Sequence, residues 1–187
     1  MSITTVETIP GYAVGSWTID PVHSEVGFFV RHMMVSKVRG KFTAFEGKIV
    51  TCETVTDSSV TASVDLSSID TGNTDRDNHI RSADFFDVDA NKAMTFQSTS
   101  IAGDGSGYVL VGDLTLKGVT KSVTFQLEVG GFGPDAFGGT RGGFTASTTI
   151  NRSDYGVDFS AVMETGGVVV GDKITVQLEI EAVLDVD

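Results

Sequence analysis

Apolar and polar residues alternate with a period of two along most of this 187-residue chain. In the clearest segment, near the carboxyl end, Ile174, Val176 and Leu178 alternate with threonine, glutamine and glutamate residues. Because successive side chains of a β-strand point to opposite faces, this pattern predicts a strand with one apolar face. Eight or nine such segments follow one another at hairpin spacing. They predict an all-β antiparallel sandwich or barrel.

One of these segments changes the parity of its apolar positions. Val38 and Phe42 lie on one parity, whereas Phe45 and Ile49 lie on the other. Such a switch within a β-rich segment predicts a bulge or a sharp bend near Ala44. The strands of barrels bend in this way, and so do the strands of sandwiches at their corners.

Residues 68–87 interrupt the alternation with charges of both signs and no period of two. Thr74 is a suitable helix N-cap, and Ser82 can cap a second short turn. Asp77 and Arg81 are four residues apart, a spacing at which opposite charges pair on a helix. We therefore predict one or two short helices in this segment, with two short helices fitting better than one long helix.

The apolar residues of the same segment predict a lid over one end of a barrel. Ile80, Phe85 and Phe86 would face the barrel, while the charged residues form a network of their own. An Asp-x-Asp-x-His pattern at residues 75–79 offers metal ligands, but residues two apart on a helix do not face each other. We therefore predict a lid here and no metal site.

Residues 130–143 contain seven glycines, which favour a mobile loop. Phe132 and Phe137 lie within this segment and are too apolar for a purely solvated linker. We expect these two rings to pack on the body of the protein or on a partner.

Composition and charge narrow the classes of function. The formal net charge of −12 and the sequence pI of about 4.5 repel nucleic acids and anionic headgroups at long range. We therefore expect no nucleic-acid partner. Cys52 is the single cysteine, which excludes an internal disulfide and a Cys-x-x-Cys metal or redox site.

The amino terminus lacks the basic and apolar regions of a signal peptide, and no apolar run approaches the length of a bilayer span. From these features we expect a soluble, cytoplasmic protein with no transmembrane segment. Residues 1–11 are predicted to form a flexible tail, and residues 12–187 a single barrel domain.

The interior of an eight-stranded barrel is either filled by side chains or holds one small ligand. The inward parity carries phenylalanines beside small residues such as Gly40, Ala62 and Ala146. This mixture fits both tight packing and an apolar ligand cavity, so the alternation by itself leaves both alternatives open.

Four segments carry a resemblance to a known family. They are WTIDPVHSEVGFFVRHMMVS at residues 17–36 with VRGKF at 38–42, the charged segment at 68–88, GDLTLKGVTK at 112–121 and GFTASTTINRSDYG at 143–156. In this order they resemble the YceI-like family of polyisoprenoid-binding, lipocalin-like proteins. The resemblance spans nearly the whole chain from Trp17.

The resemblance implies an antiparallel lipocalin-like barrel, commonly a homodimer, around a long apolar chain such as a polyisoprenoid or a fatty-acid derivative. Residues 12–187 would form one lipid-binding domain that sequesters or transports its ligand, without a cofactor and without catalysis. The inward parity then predicts the residues that line the cavity: Phe28, Val30, His32, Met34, Phe42, Val64, Phe96, Leu114, Phe125, Phe144, Val176 and Leu178.

Catalysis has little support in the sequence. A G-x-S-x-G nucleophile elbow is absent, and the three histidines form no closely spaced ligand pair. His32 is the polar residue on the apolar parity of its strand, so it is either a core histidine with a hydrogen-bond partner or an anchor for a ligand headgroup. The alternatives to a lipid carrier are a lipid-modifying hydrolase that depends on His79 or His32, and a filled barrel with a structural or interaction role.

Overall fold

The computed structural model describes residues 9–33, 35–103, 107–160 and 170–186. One α-helix, α1 (Thr74–Arg81), lies among the described strands, and no described helix is long and apolar enough to cross a bilayer. The tail predicted at residues 1–11 lies outside the described residues up to residue 8. The strands are β1 (Gly15–Ile19), β2 (Glu25–His32), β3 (Ser36–Phe42), β4 (Phe45–Thr51), β5 (Ser59–Asp65), β6 (Ile69–Asp70), β7 (Ala93–Gly103), β8 (Tyr108–Leu116), β9 (Val119–Pro134), β10 (Thr140–Asn151) and β11 (Val170–Leu184).

These strands close into an eight-stranded antiparallel barrel. Neighbours pair in the order β4, β5, β7, β8, β9, β10 and β11, and β1 pairs with both β4 and β11 to complete the ring. β2 follows β1 along the barrel after a short interruption at residues 20–24. β3 leads into β4 through a second interruption at residues 43–44. The closed ring confirms the predicted barrel and removes the sandwich alternative.

β11 joins the two parts of the barrel. Its last residues pair with β1, as in Trp17 with Leu184, and its middle pairs with β2, as in Val26 with Leu178. We call the end where β1 begins and β11 ends the upper end, and the end with the β2–β3 turn and α1 the lower end. The break between β3 and β4 confirms the bend predicted near Ala44.

Two inward-facing glycines make room for aromatic rings on neighbouring strands. A Cβ atom at Gly40 would collide with the ring of Phe28, and a Cβ atom at Gly112 would collide with the ring of Phe96. The Gly112 position is also blocked by backbone, because its Cβ would lie 2.6 Å from the carbonyl oxygen of Gln97. The small residues that face inward therefore allow aromatic rings to pack along part of the barrel wall.

The segment around α1 holds one of the one or two predicted helices, and its N-cap differs from the prediction. Asn73 rather than Thr74 is the N-cap, and its side chain accepts a hydrogen bond from the Arg76 N–H. Residues 82–86 form a turn in which the Phe85 N–H donates to the Ser82 carbonyl, as the second short turn predicted after Ser82 requires.

The predicted ion pair between Asp77 and Arg81 is also wrong. The Asp77 carboxylate accepts hydrogen bonds from the N–H and the hydroxyl of Thr71. The Arg81 guanidinium donates to the carbonyl oxygens of Ser67 and Ile69 instead. Both side chains bind the segment that precedes α1, because its backbone offers partners that an isolated helix lacks.

The glycine-rich segment at residues 130–143 is largely a β-hairpin rather than the predicted mobile loop. β9 reaches Pro134, which pairs with Thr140 at the start of β10, and the register shifts between Gly143 and Phe144. Cross-strand pairing therefore overrides the weak local preference of the glycines. Phe132 packs inside the barrel, whereas Phe137 at the hairpin tip is 91% exposed.

A substitution at Gly112 tests the packing of glycine against aromatic rings. We expect Gly112→Ala to lower the free energy of unfolding by about 1–3 kcal/mol, because the new methyl group meets both the Phe96 ring and a backbone carbonyl. Urea denaturation followed by far-UV circular dichroism measures the loss. Gly133→Ala is the matched control, since a Cβ atom there meets nothing within 4 Å. Equal midpoints for both variants would contradict the packing argument.

Candidate functional site

An apolar cavity occupies the interior of the barrel. Its volume is about 290 Å³, close to the lower bound of the roughly 300–1,000 Å³ that small-molecule sites span. Inward-facing residues of all eight barrel strands contribute to its wall. The barrel is therefore not filled by its own side chains, which speaks against the filled-barrel alternative.

The structure brings most of the predicted cavity residues together around this space. His32 does not line the cavity, and Met34 lies outside the described residues. The three predicted lid residues, Ile80, Phe85 and Phe86, also contribute to the wall. The predicted residues that line it are Phe28, Val30, Phe42, Val64, Phe96, Leu114, Phe125, Phe144, Val176 and Leu178.

His32 does not belong to the cavity wall in which it was predicted to lie. It is the last residue of β2 and pairs with Ser36 and Val170. β2 keeps its alternation to its last residue, since Val26 to His32 pair with Phe42 to Ser36 without a shift, so His32 keeps the inward parity but lies beyond Val30, the last residue of β2 in the wall. His32 is thus a partly exposed residue of the lower rim, and a contact with a buried headgroup has no support in the cavity wall.

Aromatic and aliphatic side chains of α1 and of the turn after it pack at the lower end. Phe85 is buried, and the Phe86 ring lies 6.1 Å from the Phe42 ring, measured between centroids. The Phe86 N–H donates to the Ile80 carbonyl, which fixes the turn after α1. Arg81 connects this turn to the barrel through its hydrogen bonds to two backbone carbonyls, at 2.8 and 3.1 Å.

A polar network holds the beginning of α1. Asp77 is 7% exposed and accepts from the Thr71 N–H at 2.9 Å and from its hydroxyl at 2.5 Å. The Arg76 guanidinium donates to the hydroxyl and the carbonyl oxygen of Thr71, both at 2.7 Å. Thr71 thus links both charged side chains to the chain before α1, while Ile80, Phe85 and Phe86 contribute to the cavity wall.

Arg152 is a buried cation in the cavity wall that sequence reasoning missed. Its guanidinium donates to the carbonyl oxygens of Val157, Phe159 and Gly171 at 2.8 Å each, and to that of Val170 at 3.2 Å. Burial lowers the pKa of this guanidinium. The arginine thus binds the chain after β10 to the start of β11 at the lower end.

The alternation along β10 indicates that Arg152 faces inward. Its inward positions run through Ala146, Thr148 and Ile150 to Arg152, two residues further on. A charged residue at the end of an apolar parity is expected to find backbone acceptors when it is buried.

The upper end is closed by an aromatic cluster. The Phe132 ring lies 5.4 Å from the rings of Tyr12 and Trp17 and 5.7 Å from that of Phe144. The Trp17 indole N–H donates to the Thr51 hydroxyl at 2.8 Å, so its one polar group is satisfied inside the cluster.

Tyr12 belongs to this upper cap rather than to a strand. β1 begins at Gly15, three residues after Tyr12. The Tyr12 hydroxyl donates to the Cys52 carbonyl at 2.7 Å, and Tyr12 and Ile9 both contribute to the cavity wall. The sequence offered no period from which this position could be inferred.

The chemistry of the wall favours burial of apolar groups over catalysis. Among the described lining residues there is no histidine or cysteine, and the two charged residues are Glu46 and Arg152. Glu46 is exposed, and the donors of Arg152 bind backbone carbonyls. His79 lies outside the wall, with its Nε2 atom 2.8 Å from the Asp84 carboxylate.

A separate cluster of charges lies on the outer surface near the upper end. The potential ligand atoms of Asp20, His23 and Glu181 lie within 4.8 Å of one another, the one such group of three in the described part of the chain. Arg141 donates to Asp20 at 2.7 Å, to Glu181 at 2.9 Å and to Asp135 at 3.1 Å. The Arg141 guanidinium holds the pKa of Asp20 well below its usual range. This arrangement is a surface ion network centred on an arginine.

Comparison with known proteins points to one family. The family model of the YceI-like domain matches residues 17–182. A UPF0312 protein of Staphylococcus epidermidis is 40% identical over 171 residues, which cover 90% of this chain and 98% of that protein.

Solved structures share the barrel. BcnA of Burkholderia cenocepacia is similar with a TM-score of 0.76 at 22% identity, over 87% of this chain and 98% of that chain. A polyisoprenoid binding domain from Saccharophagus degradans, implicated in plant cell wall breakdown, is similar with a TM-score of 0.68 at 16% identity. That comparison covers 92% of this chain and 100% of the other. At these identities the likeness establishes the fold.

Replacing Arg152 by lysine tests its role at the lower end. Lysine keeps the charge, but its single ammonium group cannot bind four carbonyl oxygens arranged around a planar guanidinium. We expect Arg152→Lys to lower the free energy of unfolding by about 2–4 kcal/mol, because buried carbonyls lose their donors. Urea denaturation checks this, with the exposed Arg31→Lys as control. A loss no larger than that of the control would show that Arg152 does not hold this end together.

Proposed function

This chain belongs to the YceI-like domain family, and from that membership and the enclosed apolar cavity we propose that it binds a long-chain amphiphilic lipid inside the barrel. The lipid is of the polyisoprenoid or fatty-acid type. The observation that carries the proposal is the cavity of about 290 Å³, whose wall is apolar through the length of the barrel. The shared fold with a polyisoprenoid binding domain supports the choice of ligand class.

Burial alone supplies enough affinity for such a ligand. Each methylene group removed from water contributes about 0.8 kcal/mol, so ten of them contribute about 8 kcal/mol. That free energy corresponds to a Kd of about 1 μM before the cost of immobilising the ligand is subtracted. A lipid can therefore be held with few polar contacts, as the composition of the wall requires.

The proposed function is sequestration or transport without catalysis. A hydrolase would need a nucleophile and a base within hydrogen-bond reach beside the ligand. The wall formed by the described residues holds serine and threonine but no histidine to activate them. Action as a homodimer, which the family resemblance implies, stays a prediction.

Filling the cavity tests the proposed function directly. Ala146 is buried on the inward face of β10, and its replacement by phenylalanine puts a ring into the cavity. We expect native mass spectrometry of the wild-type protein to show a bound lipid, and Ala146→Phe to lose it. Uptake of a polyprenol and of a long-chain fatty acid, added from solution, should fall at least ten-fold in the variant.

The control for this experiment is Ser147→Phe, because Ser147 is the next residue on β10 and is exposed. Thermal unfolding of both variants establishes that they fold. Wild-type protein that carries no lipid and takes up neither probe would refute the proposed function. Equal uptake by both variants would show that lipid binds elsewhere.

We also propose that Ile80, Phe85 and Phe86 form a lid at the lower end. These side chains stand on α1 and its following turn, outside the ring of barrel strands, and hydrogen bonds rather than strand pairing attach them to the barrel. A segment attached in this way can open without breaking the barrel.

Removing the Phe86 ring tests the lid. Phe86→Ala deletes about 1.5–3 kcal/mol of buried apolar contact, so we expect a fluorescent fatty acid to dissociate at least ten-fold faster. Stopped-flow transfer to acceptor vesicles measures the rate. Phe137→Ala, at an exposed hairpin tip of the upper end, is the matched control. Equal rates in the two variants would remove the lid from the mechanism.

A further inference from the structure

The hairpin of β2 and β3 has a charge opposite to that of the whole protein. Residues 26–45 contain no acidic residue, although the chain has 25 acidic residues and a net charge of −12. They hold four of the chain's 13 lysine and arginine residues. We call this element the basic hairpin, and its cations are Arg31, Lys37, Arg39 and Lys41.

All four cations are exposed on the outer face of the barrel. Within the described residues none of them forms an ion pair. Arg31 lies directly opposite Lys37 in the strand pairing, and like charges in this position destabilise a sheet. Lys37 and Arg39 lie 4.4 and 5.4 Å from the centroid of the Phe29 ring between them. Among the described residues, Arg31, Lys37 and Arg39 therefore form a cluster of positive charge without an acidic ion-pair partner, whereas Lys41 lies opposite Asp70 in the strand pairing.

The tip of the same hairpin is apolar and exposed. Met33 is 44% exposed and Val35 is 84% exposed, at the turn between the two basic strands. Apolar side chains flanked by cations match the boundary of an anionic bilayer, where the apolar groups reach the acyl chains and the cations bind the headgroups. A nucleic acid offers no apolar layer for the tip.

Protection of a sheet edge explains only part of this pattern. β3 pairs with β6 only at Lys41 and Phe42, so its first five residues form an edge that lysine and arginine shield from other strands. Arg31 lies on β2, which is paired on both sides. The exposed apolar tip would promote association rather than prevent it.

The basic hairpin borders the lower end of the cavity. His32 pairs with Val170, which contributes to the cavity wall. A Cβ atom at Gly40 would lie 3.0 Å from a methyl group of Thr71, the residue that holds the beginning of α1. A surface bound to the hairpin would therefore lie next to the segment that carries the lid residues.

We propose that the basic hairpin docks the protein on an anionic lipid bilayer. Met33 and Val35 enter the headgroup boundary, and the four cations bind anionic headgroups. The net charge of −12 does not prevent this, because charges beyond a Debye length of about 8 Å at physiological ionic strength are largely screened. The lower end then faces the membrane. Exchange of lipid at this end rests on the proposed function, whereas the docking itself does not.

Co-sedimentation with vesicles tests the docking. The probes are vesicles of phosphatidylcholine alone and of phosphatidylcholine with phosphatidylglycerol. We expect the full-length protein to sediment only with the anionic vesicles and to be released by high salt. Each cation at such a surface changes binding about five-fold, so the double variant Lys37→Gln/Arg39→Gln should bind about 25-fold more weakly. Met33→Ser/Val35→Ser should weaken binding without removing its salt dependence.

The matched control is Lys92→Gln/Lys121→Gln, which removes two exposed cations elsewhere and changes the net charge equally. It should bind anionic vesicles within two-fold of the wild-type protein. Equal weakening by both charge variants, or no sedimentation of the wild-type protein with anionic vesicles, would overturn the proposal. The second result would favour a protein partner for the hairpin.

Separate measurements distinguish the docking from the lipid-binding function. Uptake of a fatty acid from solution, without vesicles, should be unchanged in Lys37→Gln/Arg39→Gln. Ala146→Phe should still sediment with anionic vesicles as the wild-type protein does. Loss of vesicle binding together with loss of uptake in the hairpin variant would show that the substitutions disturb the barrel, and would count against a separate docking surface.

Discussion

Closure of the sheet through β11 is the constraint on which the rest of the structure depends. One side of this strand pairs with β10 over eleven residue pairs, and the other side pairs with β1 and then with β2. A sheet left open here would expose two strand edges and give water access to the interior. Because the ring is closed, inward side chains that do not meet across the barrel leave an enclosed apolar space.

The two ends of that space are closed by different interactions. At the upper end, aromatic rings from the beginning of the chain and from β9 pack on Trp17, whose indole binds Thr51. At the lower end, charged side chains bind backbone carbonyls: Arg81 holds the turn after α1, and Arg152 holds the chain before β11. The upper cap is thus part of the strand packing, whereas the lower cap is attached to it by hydrogen bonds. This difference is the reason for assigning the proposed lid to the lower end.

The break between β1 and β2 connects barrel closure to the outer surface. It allows one chain segment to pair with the end of β11 and then, after residues 20–24, with its middle. β2 and β3 therefore extend to the lower rim, and the basic hairpin lies beside the lower cap. The proposed lid and membrane surface then lie at the same end of the barrel, next to the lower part of the proposed lipid site, in an order that suits passage between bilayer and cavity.

The sequence by itself determined which side chains face inward along most strands, because the alternation of a strand is a local property with a period of two. Phe28, Phe96 and Phe125 could be assigned to the wall for that reason, and so could the bend near Ala44. The short-range pattern failed where partners came from distant residues. Arg152 finds its acceptors up to 19 residues away, and cross-strand pairing turned a glycine-rich segment into a hairpin.

Only the tertiary structure decided whether the inward residues fill the barrel or leave a cavity. The volume that remains depends on how rings such as Phe28 and Phe96 lie over Gly40 and Gly112, and no local pattern specifies that arrangement. The tertiary structure likewise placed the basic hairpin next to the lid segment. The charges and the alternation of apolar residues can be inferred from the sequence. The volume of the cavity and the position of one segment beside another depend on contacts between residues far apart in sequence.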